Sequence, residues 1–136
     1  MPTAKGRCLC GAVEYAVEGP LRAVVYCHCT MCRRSTGHYL AATACAASHL
    51  RIASAEHLRW YQSSAQAQRG FCDRCGSNLF WKPADGTRIC IAAGTLDGPT
   101  GLRGVAHIHI EDKGDYYELE DGLAQHVGGV HGVPMP

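Results

Sequence analysis

The sequence lacks three features that would have assigned it to a familiar class. No apolar run approaches the roughly 20 residues that a membrane-spanning helix needs, so we expect no membrane partner. The first residues contain no apolar stretch of the kind found in secretory signals, and we expect a cytoplasmic protein. Lys and Arg number 13 against 12 Asp and Glu, so the basic excess typical of phosphate-binding proteins is missing. We therefore expect no nucleic-acid partner.

A long helical period is missing as well, which indicates a mainly β fold of small sheets. Turn signals such as Glu18-Gly19-Pro20 and Asp97-Gly98-Pro99 separate short segments of strand character. A single helical turn is predicted over residues 30–36. The predicted strands cover residues 12–17, 23–27, 39–45, 58–62, 78–82, 88–92 and 105–110.

The chain has the length and composition of one globular domain. Apolar residues make up 46% and charged residues only 18%, which is not the composition of a disordered chain. We find no internal repeat and no linker that would divide the sequence. A single domain is predicted over residues 1–124. Residues 125–136, which include His126 and His131, are predicted to form a loosely held tail.

Cysteine, in contrast, is abundant. Nine cysteines in a chain without a secretory signal argue against disulfides, and an odd number fits disulfide pairing poorly. Metal binding is the favoured explanation. Cys45 and Cys90 stand alone in apolar strands and are expected to be buried and inert. The other seven fall into three groups: Cys8/Cys10, Cys27/Cys29/Cys32 and Cys72/Cys75.

The last group has the spacing of a zinc-binding turn. Cys72 and Cys75 are two residues apart, and Gly76 permits the positive φ that such a turn often needs. A closed structural site requires four ligands, so a second pair must come from elsewhere in the chain. Spacing alone does not choose between two such pairs: Cys8 with Cys10, or Cys29 with Cys32.

Seven clustered thiols divide into four plus three. The segment of residues 27–32 presents three thiols within six residues and is the natural place for a three-ligand site. A zinc ion with three protein ligands keeps a coordination position for water or substrate, which is the arrangement used for catalysis. His28 would point away from Cys27 and Cys29 in an extended segment, which favours packing or hydrogen bonding over metal ligation.

Two arginines follow the last of these thiols directly. Three thiolates on a divalent ion leave a net charge near −1, which neighbouring cations would balance. Arg33 and Arg34 suit that role and are also suited to gripping a carboxylate. A surface arginine without such a role is the ordinary case, so both interpretations stay open.

Five motifs extend in order over roughly residues 6–120. They read GRCLCGAV at 6–13, CHCTMCRR at 27–34, RGFCDRCGSNLF at 69–80, AAGTLD at 92–97 and AHI at 106–108. Together they resemble the glutathione-dependent formaldehyde-activating enzyme family, whose GFA domain is shared with centromere protein V. The resemblance implies a β-tent fold, in which small antiparallel sheets are organised around zinc.

The resemblance also implies two zinc ions per chain and assigns their ligands. In the family, the CxC and the late CxxC form the structural site, which here implies Cys8, Cys10, Cys72 and Cys75. The CxCxxC binds the catalytic zinc, which here implies Cys27, Cys29 and Cys32.

The activity implied by the resemblance is condensation of formaldehyde with glutathione to S-(hydroxymethyl)glutathione, a carbon–sulfur lyase reaction in reverse. The expected partners are a small-molecule thiol such as glutathione and a small aldehyde. Because glutathione carries carboxylates, Arg33, Arg34 and Arg69 are candidates for binding it. Since β-tent proteins also serve as interaction modules, two alternatives stay open. These are a non-catalytic, zinc-stabilised binding module and a glutathione or metal carrier.

Overall fold

The computed structural model describes residues 4–136, so residues 1–3 of the predicted domain lie outside it. Within this range the chain forms eleven β-strands, one α-helix and three short 3-10 helices. The strands are β1 (Ala4–Arg7), β2 (Glu14–Val17), β3 (Val24–Cys27), β4 (Leu40–Ala46), β5 (Leu50–Ser54), β6 (Leu58–Ser64), β7 (Ala67–Cys72), β8 (Asn78–Pro83), β9 (Arg88–Ala92), β10 (Gly104–Ile108) and β11 (Ala124–Gln125). The 3-10 helices are Ala47–His49, Ala93–Thr95 and Ile110–Asp112.

The single α-helix, α1 (Thr30–Thr36), is the helical turn predicted over residues 30–36. Its C-terminus is closed by Gly37 in the left-handed conformation, whose N–H donates to the carbonyl oxygen of Arg33. Among residues 4–136, no helix has the length and apolar character that a membrane span requires.

The strands form two sheets. A three-stranded antiparallel sheet has the order β1-β2-β5, and an eight-stranded sheet has the order β11-β10-β3-β4-β9-β8-β7-β6. The prediction of a mainly β fold is confirmed, but the larger sheet is mixed rather than antiparallel throughout. Strand β10 pairs in parallel with both β3 and β11. This follows from the chain path, because residues 93–103 cross over from β9 to the outer edge of β3.

Each predicted strand segment overlaps an observed strand, whereas β1, β5 and β11 were not predicted, and neither was β7. Its sequence, AQRGFC, contains a glycine, which normally weakens a strand. In the structure Gly70 lies beneath the rings of Trp60 and Phe80, where a side chain would crowd both. The packing of the sheet therefore favours glycine here, and because glycine has a low strand propensity, the strand was not predicted.

The hydrophobic core joins the two sheets. Tyr15 of β2 packs edge-on against Phe80 of β8, with ring centroids 5.1 Å apart. Strand β9 alternates, so Ile89 and Ile91 are buried in this core while the residues between and beside them face the other side of the sheet. The second face of the larger sheet is thus free to line a cavity.

We expect the substitution Gly6→Ala to destabilise this contact between the sheets. A Cβ atom at Gly6 in β1 would collide with the Tyr15 hydroxyl and with the backbone carbonyl oxygen of Thr95. The hydroxyl is held by a 2.7 Å hydrogen bond to Thr95 Oγ1, so relief by movement is limited. The free energy of unfolding in urea should fall by about 1–3 kcal/mol. Gly94→Ala is the control, because a Cβ there meets nothing within 4 Å. Equal losses in the two variants would contradict this account.

Candidate metal centres and the adjoining cavity

Four cysteines from distant parts of the sequence come together beside the core. Cys8 directly follows β1, and Cys72 ends β7. The Sγ atom of Cys10 lies 3.7 Å from Cys8 Sγ and 3.8 Å from Cys72 Sγ. A tetrahedron with metal–sulfur bonds of about 2.3 Å has edges of about 3.8 Å. The cluster could therefore hold one metal ion, and its four Sγ atoms all lie within 4.8 Å of one another: Cys8, Cys10, Cys72 and Cys75.

Glycine allows both of the turns that present these thiols. Gly11 has a φ of 80° and Gly76 a φ of 78°, values in the left-handed region that other residues seldom adopt. The N–H of Gly76 donates to the Cys72 carbonyl oxygen at 2.8 Å, and the N–H of Gly11 donates to the Cys8 carbonyl oxygen at 3.2 Å. The predicted conformation of the glycine after the late CxxC is confirmed.

Hydrogen bonds around this cluster join the two turns and favour thiolate at Cys8 and Cys75. The Ser77 hydroxyl accepts from the N–H of Leu9 at 2.9 Å and lies 3.2 Å from Cys75 Sγ. Its bond to the sulfur is the main cause that lowers the pKa of Cys75 to about 5. The N–H of Val13 donates to Cys8 Sγ at 3.3 Å. These donors are the partners that metal thiolates usually have.

The second cluster is built where β3 meets α1. Cys27 ends the strand, Cys29 caps the helix and Cys32 lies in its first turn, and their Sγ atoms lie within 4.8 Å of one another. The Cys29 sulfur accepts from the N–H of Cys32 at 3.3 Å, as an N-cap side chain does. Bonds from the neighbouring thiols and from this N–H lower the pKa of Cys29, while the same thiol contacts raise the pKa of Cys27. Three soft donors in this arrangement could hold a metal ion.

The prediction that His28 packs and hydrogen-bonds rather than ligating a metal is confirmed. It is fully buried on the side opposite its cysteine neighbours, with Nδ1 hydrogen-bonded to the Tyr117 hydroxyl. Its Nε2 lies 2.8 Å from Nδ1 of the buried His107, whose Nε2 lies 2.8 Å from Oδ2 of Asp121. Burial lowers the pKa of His28 to about 4, so the ring is neutral near pH 7. This chain of hydrogen bonds fixes residues 27–32 on the side opposite the three thiols.

The three-cysteine cluster opens into a cavity of about 340 Å³ on the face of the larger sheet opposite the core. Register places part of its wall, because Arg69, Trp81 and Cys90 are direct cross-strand partners on β7, β8 and β9. Basic, sulfur-containing and apolar side chains line the cavity, and no Asp or Glu of the described chain does so. The residues that line it are Arg22, Val25, Cys27, Cys29, Met31, Cys32, Leu40, Ala42, Arg69, Trp81, Arg88, Cys90, Ile108, His109, Gly129 and His131.

Of the three arginines singled out in the sequence, one reaches this cavity. Arg69 places Nη1 3.5 Å and Nη2 3.6 Å from Cys32 Sγ. Arg33 and Arg34 lie on α1, outside the residues that line the cavity, and Arg34 is exposed. Substrate binding by these two residues stays a prediction.

Other cavity residues were missed by the sequence analysis. Cys45 is fully buried, as predicted, but Cys90 faces the cavity together with Arg88. The period-two pattern of β9 places these two side chains on one face, although it does not reveal what that face lines. Arg22 also lines the cavity, but it lies outside the strands, so no alternating pattern marks its position.

The segment predicted as a tail also contributes to the wall. His131 and Gly129 line the cavity, and the N–H of His109 donates to the carbonyl oxygen of Gly128 at 2.8 Å. The boundary placed at residue 124 is not decided by these contacts and stays a prediction.

A third group of possible ligands lies at the surface. His109, Glu111 and Asp112 bring ligand atoms within 4.8 Å of one another. Both carboxylate residues are exposed, and such groups are common on proteins without a metal ion. The two cysteine clusters are therefore the candidate metal centres.

Comparison with known proteins agrees with this geometry. A sequence model of the family described as "Glutathione-dependent formaldehyde-activating enzyme" matches residues 3–112. A Schizosaccharomyces pombe protein named "Uncharacterized lyase" is 31% identical over 122 residues, covering 88% of this chain and 87% of that protein. A Halomonas elongata protein named "Putative glutathione-dependent formaldehyde-activating enzyme" is 31% identical over 127 residues, covering 85% of this chain and 80% of that protein.

A solved structure is similar as well. The crystal structure of a Rhodobacter sphaeroides protein superposes with a TM-score of 0.58 at 30% sequence identity, covering 74% of this chain and 97% of that one. The match to the family extends over most of the chain and includes both cysteine clusters. The chain therefore belongs to the glutathione-dependent formaldehyde-activating enzyme family.

Proposed function

We propose that this protein is a zinc enzyme of the carbon–sulfur lyase type that forms or cleaves the thiol adduct of a small aldehyde. Glutathione and formaldehyde are the substrates that the family description and the H. elongata relative's name indicate. One observation carries the proposal: three clustered thiols, with no fourth ligand grouped with them among residues 4–136, open into a cavity. This is the form of a catalytic metal site with an open position.

The donor set fits zinc. Both clusters consist of thiols alone, and soft thiolates at tetrahedral separations favour zinc over hard cations. We assign the four-cysteine cluster to a structural ion and the three-cysteine cluster to a catalytic one. Nine free thiols fit a reducing compartment such as the cytoplasm.

The chemistry is an addition. The thiol sulfur bonds to the carbonyl carbon, the π electrons of the C=O bond move to oxygen, and the thiol proton ends on that oxygen. Zinc at the open site would supply Lewis acidity and a lower pKa for the incoming thiol. The cavity brings the two reactants together, which makes the addition effectively intramolecular. Arg69 donates to the Cys32 sulfur beside them and favours its thiolate form.

The proposal is tested by following exchange between free formaldehyde and S-(hydroxymethyl)glutathione by NMR. The zinc-loaded protein should raise the exchange rate above the uncatalysed rate in proportion to its concentration. A metal-free control isolates the contribution of the ions. A rate equal to the uncatalysed one for the zinc-loaded protein would favour the binding module or carrier instead.

We expect Arg69→Gln to weaken metal binding at the three-cysteine cluster selectively. The guanidinium donates to Cys32 Sγ from two nitrogen atoms, and loss of such a partner typically lowers metal affinity by about 10–100-fold. Competition against a coloured chelator would measure the affinity of both sites. Arg51→Gln is the matched control, because Arg51 lies on β5 and pairs with Glu18 at the surface. Unchanged affinity at both sites in Arg69→Gln would show that the contact does not support the metal.

A further inference from the structure

Arg22 is a buried cation at the wall of the cavity. The residue is 6% exposed, and no carboxylate of the described chain forms an ion pair with it. Its Nη2 donates to the carbonyl oxygen of Ala42 at 2.9 Å and its Nε to that of Ala23 at 3.2 Å. These bonds, together with a hydrogen bond to the Cys90 thiol, fix the orientation of the guanidinium and use only part of its five N–H donors. The remaining donors can serve a ligand.

A second guanidinium lies nearby. Arg88, at the start of β9, lines the same cavity and lies over the ring of Trp81, 5.7 Å from its centroid. Cys90 lies between the two arginines: burial raises the pKa of its thiol, and both guanidiniums act in the opposite direction. Arg88 has no ion pair with a described carboxylate either. Two positive charges thus share one wall with a neutral thiol.

The charges of the cavity do not balance without a ligand. Arg69 already contacts the Cys32 sulfur, whereas the cavity offers Arg22 and Arg88 the thiol of Cys90 and no carboxylate. A cation in a partly desolvated site is costly unless an anion accompanies it. Guanidinium groups match planar carboxylates through paired N–H···O bonds.

We propose that Arg22 and Arg88 form a carboxylate-binding subsite in the cavity of the three-cysteine cluster. This inference rests on the proposed function, since it assigns the second point at which the thiol substrate is held. The sulfur of the substrate lies at the thiol cluster and its carboxylate at the two arginines. Two-point attachment orients the sulfur toward the aldehyde and selects thiols that carry a carboxylate over neutral thiols.

Calorimetric titration of the zinc-loaded chain with two matched probes tests the subsite. The probes are 3-mercaptopropionate and its amide, 3-mercaptopropionamide, which differ in charge at the end remote from sulfur. Charge-assisted hydrogen bonds predict that the acid binds at least about tenfold more tightly than the amide. Arg88→Gln should reduce this ratio to about one by removing half of the subsite, while Arg88→Lys should retain part of it.

The controls separate the subsite from the proposed function. Arg51→Gln removes one positive charge elsewhere and should leave the ratio unchanged. Arg22→Gln should also abolish the preference for the acid. If Arg22→Gln does not fold, the result for Arg88→Gln alone tests the subsite. Equal affinities for acid and amide in the unmodified protein, or an undiminished ratio in Arg88→Gln, would overturn the subsite while leaving thiol binding at the cluster intact. Failure of both probes to bind would overturn the subsite alone, because the proposed function is judged separately by the exchange of formaldehyde with its glutathione adduct.

Discussion

Replacing Cys10 with serine is expected to destabilise the protein strongly, even though this side chain is exposed. Its Sγ lies within 3.8 Å of the sulfurs of Cys8 and Cys72, which belong to the buried core cluster. A structural zinc site contributes its binding free energy directly to folding, and this energy is comparable with the whole stability of a small domain. We expect the melting temperature to fall by about 15 °C or more, measured by circular dichroism on protein purified with zinc.

Two comparisons make this result specific to the metal. Cys90→Ser is the same substitution outside both clusters and should change the melting temperature little by comparison. A strong chelator should lower the melting temperature of the unmodified protein toward that of Cys10→Ser, and should affect the variant less. If Cys10→Ser had the same melting temperature as the unmodified protein, the four cysteines would not form a stabilising metal site.

The second large effect concerns Cys29→Ser, which should remove catalysis without unfolding the domain. Cys29 both supplies a thiol to the three-cysteine cluster and caps helix α1 through the N–H of Cys32. Serine is among the preferred N-cap residues, so the helix keeps its cap while the cluster loses a thiolate. We expect zinc content to fall from two ions to one per chain. Exchange of formaldehyde with its glutathione adduct should slow by about 100-fold or more, because the chemistry needs the metal site.

Cys29→Ala is the matched variant, since it removes the thiol and the cap together. It should lose activity to the same extent and should also unfold at lower urea concentration, by about 1 kcal/mol relative to Cys29→Ser. Metal analysis and denaturation on the same samples would separate the two roles of the residue. Retention of two zinc ions and full exchange by Cys29→Ser would reject the three-cysteine cluster as the catalytic site.

The parts of the fold that follow from local chemistry could be predicted. The strand at residues 88–92 has a period of two, the glycine after Cys75 marks a left-handed turn, and the helical turn after the third strand is found at Thr30–Thr36. Strand β7 could not be predicted, because Gly70 is there to make room for two aromatic rings from neighbouring strands. The parallel pairing of β10 depends on a crossover that no local pattern records.

The cavity residues likewise depend on tertiary contacts that local sequence does not show. Arg69 was singled out only through the resemblance, and its contact with Cys32 joins residues 37 positions apart. Arg22 and Arg88 were not predicted as site residues, since an arginine in or beside a strand is usually at the surface. Sheet register places Arg88 on the face that lines the cavity. Arg22 lies outside the strands and is held at the wall by its hydrogen bonds to the carbonyl oxygens of Ala23 and Ala42.

By itself, the sequence determined that seven cysteines fall into three groups with metal-ligand spacing and that residues 27–32 can form a three-thiol site. Ligands within six residues of one another need only one turn of chain to meet. The tertiary structure decided which pair completes the late CxxC, a choice that spacing left open and the resemblance answered. It brings Cys8 and Cys10 to Cys72 and Cys75, across more than 60 residues, because β1 and β7 deliver them to the same edge of the core. The tertiary structure alone also decided what faces the three thiols, since a cavity wall is assembled from strands whose order the sequence does not state.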